Sequence, residues 1–130
     1  MDTRRKIVSP EEAVAVVERR RNGGKTVKVV SGYFDPLLAE HAQRLRDARA
    51  GCDILVVLVA TPPEPVLPAA ARAELVAALA AVDYVVLPGR PGVEEFLARI
   101  PASEVVRFED ADEEAVRDLI RHVGSRQDAN

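Results

Sequence analysis

The residues best placed to do chemistry lie together between Ser31 and His41, directly after the apolar run Val27 to Val30. A segment that leaves a strand and opens a helix brings the unpaired N–H groups of the first helical turn to one point. The helix N-terminus adds partial positive charge there, which suits a phosphate group. His41 stands in that first turn. It reads either as a hydrogen-bond donor to phosphate or as a capping or surface histidine. Asp35, before Pro36, either orients the loop or helps hold a metal-bound ligand, or it is an Asx-type turn residue. Gly32 serves the backbone under every reading.

The elements that must position these residues follow from hydrophobic patterning. Ser9, Pro10 and Glu12 form a helix start with a capping box, and Gly23-Gly24 ends that helix. Arg19, Arg20 and Arg21 complement the dipole of its last turn, with a phosphate patch as the other reading. Val27 to Val30, Ile54 to Ala60, Tyr84 to Leu87 and Val105 to Phe108 are short, continuously apolar runs, the pattern of strands buried on both faces. Between them, helices are expected over 39–50, 69–81, 93–100 and 112–123. Four prolines from Pro62 to Pro68 stiffen the loop after the second strand. Strands alternating with helices predict a single Rossmann-like α/β domain, a doubly wound parallel sheet with helices on both faces. Ligands of such sheets bind beyond the carboxyl ends of the strands, which is where the Gly32–His41 segment begins.

Composition narrows the function classes. The chain has 130 residues, enough for one domain with a core, and a net charge of -3, which argues against a nucleic-acid binder. No run is long and apolar enough to span a membrane. Cys52 is the one cysteine, which excludes an internal disulfide and a cysteine-clustered zinc site and fits a reducing, cytoplasmic setting. It reads as buried filler. The acidic run from Glu109 to Glu114 reads as a helix N-terminal cluster, with cation binding as the other reading.

The run Ser31-Gly32-Tyr33-Phe34-Asp35-Pro36-Leu37-Leu38-Ala39-Glu40-His41 resembles the G-x-F-D-x-x-H-x-G-H signature of the cytidylyltransferase-like nucleotidyltransferases. Lys6 to Ser9, Gly24-Lys25, Asp53 to Val57, Pro68 to Glu74 and Val82 to Val86 extend the likeness over residues 6 to 110. In order and spacing they resemble the heptose 1-phosphate adenylyltransferase domain of ADP-heptose synthase. The resemblance implies a nucleotidyltransferase-like domain over residues 1–123, followed by a flexible tail over 124–130. Such enzymes join a nucleoside triphosphate to a sugar or polyol phosphate and release pyrophosphate. It further implies His41 as the catalytic group, Gly32, Tyr33, Phe34, Asp35 and Arg72 at the nucleotide, and Mg2+ entering with the triphosphate. A homodimer or a sugar-kinase domain partner belongs to the same expectation. Arg72 on its own reads equally as a solvated residue or an ion-pair partner of Glu74 or of a neighbouring loop.

Several positions depart from that pattern. Leu38 stands where the family has its first histidine, and Glu40 where it has the glycine between the two. Leucine donates nothing, and losing one transition-state donor costs on the order of 10²–10³ in rate. Glu40 puts a carboxylate in the turn where phosphate would sit, a built-in substitute for the anion. Ala60 to Glu64 replaces a segment carrying asparagine, serine, aspartate and basic residues, and Phe108-Glu109-Asp110 keeps only the aspartate of a glycine-glycine-aspartate turn. The expectation is a domain of nucleotidyltransferase descent with lost or much reduced catalysis, a pseudoenzyme. Its alternatives are an active sugar-phosphate nucleotidyltransferase and a non-catalytic interaction module.

Overall fold

The computed structural model describes residues 2–89 and 92–109. The helix expected over 112–123 and the tail 124–130 lie outside them. Five strands form one parallel sheet: β1 (Ile7–Val8), β2 (Val27–Gly32), β3 (Ile54–Val59), β4 (Tyr84–Val86) and β5 (Glu104–Arg107), in the order β1-β4-β3-β2-β5. Among the described residues four helices accompany them: α1 (Pro10–Asn22), α2 (Ala39–Ala50), α3 (Ala69–Ala77) and α4 (Val93–Arg99). A single 3-10 turn, Thr3–Lys6, precedes β1.

The alternating pleat of the central strands explains the two-sided core. Leu55, Val57 and Val59 of β3, with Val30 of β2, face Leu45 of α2 and Ala73, Val76 and Ala77 of α3. Val56 and Leu58, with Val27 and Val29, face Ala13 and Val17 of α1 and Phe96 of α4. Each fully buried valine or leucine here stabilises the fold by about 1.5–3 kcal/mol. No helix among the described residues is long and apolar enough to cross a membrane.

Several expectations change in detail. β1 is an added edge strand, two residues paired with Val85 and Val86 and too short to show a period. α3 stops at Ala77 rather than 81, because the chain must turn so that the Asp83 N–H can meet the Leu55 carbonyl at 3.0 Å. β5 ends at Arg107, and Phe108 is already helical. At α1, Ser9 Oγ accepts the Glu12 N–H at 3.1 Å, but Glu12 is exposed and gives no return bond, so the capping box is half made. Cys52 is half-buried against the α2/α3 side of the core, and burial pushes its thiol pKa up despite the nearby lysine and arginine.

The strand order sets the functional end of the sheet. β2 is followed in sequence by β3 on one side, and the chain later returns to place β5 on its other side. The strand order reverses at β2, so the switch point opens beside the carboxyl end of that strand.

Candidate nucleotide site

The loop that leaves β2 is built around the Phe34 ring. Phe34 is fully buried with φ near 50°, a left-handed conformation that bulky residues rarely adopt. Its ring lies edge-on to His41, with centroids 5.6 Å apart, and edge-on to Phe108 at 6.4 Å. The ring also explains Gly32. A Cβ there would meet Phe34 Cζ at 2.7 Å and Cε2 at 2.8 Å, so the glycine is required by close approach and not by its own torsion. The Asp35–Pro36 peptide is cis.

Asp35 acts across the loops instead of locally. Its Oδ2 accepts the Val66 N–H at 2.6 Å and its Oδ1 the Leu67 N–H at 2.7 Å, which ties the proline-rich loop to the signature loop. Burial alone pushes its carboxyl pKa up; the two N–H donors and the Arg72 charge outweigh that and hold it below the usual carboxylate range. The Asx-type turn gives way to this longer-range bridge.

Arg72 is not solvated and does not pair with Glu74. It is 1% exposed, beneath both loops. Nε donates to the Leu67 carbonyl at 3.1 Å, one terminal nitrogen to the carbonyls of Tyr33 at 3.1 Å and Ala60 at 2.5 Å, and the other to Thr61 Oγ1 at 3.1 Å. Tyr33 contributes its carbonyl to this clamp and its side chain is half-buried. Arg72 and Asp35 therefore fasten the ends of β2 and β3 and the start of α3 into one piece.

At the start of α2, Leu38 occupies the N-cap and offers no side-chain acceptor to the first-turn N–H groups, unlike Ser9 of α1. His41 supplies the reciprocal half: its Nδ1 accepts the Leu38 N–H at 3.0 Å. That bond leaves the ring proton on Nε2, so the imidazole is set as a donor. His41 is 8% exposed, and the surface reading does not hold. Glu40 does not fold over the helix start. It is exposed, and its carboxylate is bonded to Arg44 one turn along, so the carboxylate is not an internal substitute for phosphate.

The first residue of the acidic run is buried. Glu109 is 4% exposed and accepts from Ser31 Oγ at 2.7 and 2.8 Å and from Arg107 Nε at 2.8 Å. Arg107 also reaches Glu94. Glu109 is thus a buried partner of β2 at a helix start, and the rest of the acidic run lies outside the described residues. Only the return of β5 beside β2 places Glu109 there, and the local sequence carries no sign of that. Among the described residues, no three His, Cys, Asp or Glu side chains are grouped to hold a metal ion.

A parallel sheet with this switch point, and a glycine-to-histidine loop feeding a helix N-terminus, define a Rossmann-like domain of nucleotidyltransferase type. The crystal structure of the lipopolysaccharide core biosynthesis protein from Thermoplasma volcanium GSS1 has the same fold, with a TM-score of 0.58 and 21% identity over 78% of this chain and 90% of that one.

The chain belongs to the cytidylyltransferase-like nucleotidyltransferases, and its curated relatives carry the name bifunctional protein HldE. That of Paramagnetospirillum magneticum is 32% identical over 132 residues, 93% of this chain and 27% of the relative. That of Syntrophotalea carbinolica is 33% identical over 87% of this chain and 25% of the relative, and that of Acidiphilium cryptum 40% identical over 64% and 19%. The chain therefore spans about a fifth to a quarter of the length of these relatives. No protein-family model matches it.

Proposed function

We propose that this nucleotidyltransferase-like domain binds a nucleotide or sugar phosphate at the carboxyl ends of β2 and β3, and that its nucleotidyl transfer is lost or much reduced. In the family reaction a sugar-phosphate oxygen attacks the α-phosphorus while the bond to pyrophosphate breaks. Charge builds on the phosphoryl oxygens, and fixed donors must meet it. The observation that carries the reading is the state of those donors. Leu38 has none, and the Arg72 guanidinium is turned inward onto three carbonyls and a hydroxyl. What supports binding is the intact loop from Gly32 to Asp35, which leads into a helix whose N-cap residue, Leu38, makes no side-chain cap of its own. The residues present do not fit a protein-held magnesium, since both Asp35 oxygens are engaged by the proline-rich loop. Magnesium would enter on the triphosphate.

One observation favours the active reading: His41, at the family's second histidine position, keeps its place at the helix start, where its Nδ1 accepts the Leu38 N–H. Calorimetry with MgATP and MgCTP, together with pyrophosphate release on heptose and polyol phosphates, separates the two. The expected result is weak nucleotide binding by the wild type without pyrophosphate release, and tighter binding by the Leu38→His/Glu40→Gly variant. Leu38 is 54% exposed, so the first change is tolerated at the surface. Wild-type turnover of about 1 s⁻¹ or more, within the ordinary enzyme range, overturns the proposal. No binding by either protein would turn attention to a protein partner, whether a second copy or a sugar-kinase domain.

A further inference from the structure

The opposite end of the sheet carries a second concave surface. A cleft of about 520 Å³ opens at the amino ends of β3 and β4, between the 3-10 turn and the loop after α1. Ile54 and Tyr84, the first residues of those strands, give it an apolar and aromatic floor. Arg5, Lys6, Arg20 and Lys25 line it from three different segments. Lys6 Nζ donates to the Leu79 carbonyl at 2.9 Å, which fixes one cation at the wall. The side chains of Arg5, Arg20 and Lys25 make no hydrogen bond or ion pair among the described residues, and all three residues are exposed.

Three carboxylates share the cleft, but each is already engaged. Asp53 accepts from the Thr26 N–H at 2.8 Å and Oγ1 at 3.0 Å. Asp83 accepts the Leu55 N–H at 2.8 Å and pairs with Arg49 at 3.1 Å. Asp2 is paired with Arg4. Asp2 and Asp83 are thus each paired with an arginine outside the cleft, while Asp53 keeps its charge and attracts Lys25, so four cations face the hollow against one carboxylate that has no guanidinium partner. Like charges held together in a concavity raise the local concentration of anions, and a ligand that neutralises them removes their mutual repulsion. The volume lies in the range of small-molecule sites.

From this arrangement we infer that the cleft is a second ligand site, for a phosphorylated small molecule whose phosphate meets Arg5, Arg20 and Lys25 and whose apolar or ring portion lies on Tyr84 and Ile54. It is separate from the signature loop. β3 runs from Ile54 in the cleft to Val59 beside the Arg72 clamp, ~16 Å at ~3.3 Å per residue.

The test is amide-resolved NMR titration of the full chain with inorganic pyrophosphate, inorganic phosphate and phenyl phosphate. The expected result is saturable shifts at Thr3 to Lys6, Lys25, Asp53, Ile54 and Tyr84. Phenyl phosphate should bind at least about threefold more tightly than inorganic phosphate, as the burial of ring surface requires. Arg5→Glu/Lys25→Glu should weaken pyrophosphate binding at these amides at least tenfold, and Arg20→Gln by a smaller factor. These side chains are exposed and make no hydrogen bond among the described residues, so the variants should keep the wild-type spectrum elsewhere. Shifts confined to residues 32–41, no saturable shifts, or unchanged affinity in the charge-reversed variant would each overturn the site. Equal affinity for phenyl phosphate and phosphate would overturn the assigned floor.

Discussion

Replacing Arg72 by methionine is the sharpest test of how the signature end is held together. Methionine keeps most of the apolar stem's packing, so the loss is concentrated in the guanidinium. That group makes four hydrogen bonds of 2.5–3.1 Å, and three of its acceptors are backbone carbonyls in two loops and a strand end. A bond to a charged group stabilises by about 1.5–3 kcal/mol. Four such bonds from one side chain are not additive, and removing the buried cation relieves several kcal/mol of desolvation. The balance is a destabilisation of about 3–5 kcal/mol, the cost typical of breaking a buried charged network. Against a total stability of about 5–15 kcal/mol this is large. With a urea dependence of about 1–3 kcal/mol per molar, the unfolding midpoint should fall by roughly 1–5 M. Arg72→Lys keeps the charge but loses the planar fork, and should fall between the two. The assay is urea unfolding followed by circular dichroism, alongside nucleotide titration. A midpoint within about 1 kcal/mol of the wild type, combined with lost nucleotide affinity, would refute the clamp and make Arg72 a ligand-reading residue.

Two further outcomes follow from the same loops. Gly32→Ala places a methyl group against the Phe34 ring at 2.7–2.8 Å and should cost about 1–3 kcal/mol through overpacking, read as a lowered Tm. The Asp35 carboxyl is held below its unfolded value, so its contribution to stability is fully present above about pH 4 and is lost as pH falls through the folded value. The wild-type Tm should therefore drop as pH falls below about 4, while Asp35→Asn, less stable at pH 7, should show a shallower drop; parallel curves would remove Asp35 from the acid response.

Much of the scaffold was legible because each central element carries its own local signal. Val27 to Val30 and Ile54 to Ala60 are apolar on consecutive residues, as strands covered on both sides must be. α2 spans residues 39–50 as expected, since Gly51 ends it and Pro36 precedes it. The end of α3 was not legible: Ala78, Ala80 and Ala81 favour helix, and a hydrogen bond from Asp83 to a neighbouring strand overrides them. At the site, residue types were readable and their engagements were not. Arg72 looks the same in sequence whether it faces solvent or three carbonyls. Glu40 is drawn outward by Arg44, a neighbour at i+4 that the sequence does show. Glu109 and Phe108 reach the signature loop only because β5 lies beside β2, and that pairing is written in no local pattern.

The pairing of β5 with β2 also bears on when the site comes into being. Ser31 and Glu109 are 78 positions apart, and Val27 N–H meets Ser103 Oγ across 76. The signature loop is synthesised early, but the side chains that close over it leave the ribosome last among the described residues. Strands β1 to β4 and their helices are available for pairing first, and the contact that closes the longest loop comes afterwards. A nascent chain halted before residue 103 would hold the whole signature, Gly32 to His41, with one flank of β2 unpaired and the Phe34 ring uncovered on the Phe108 side. This end of the sheet is therefore completed only once β5 and Glu109 have been synthesised.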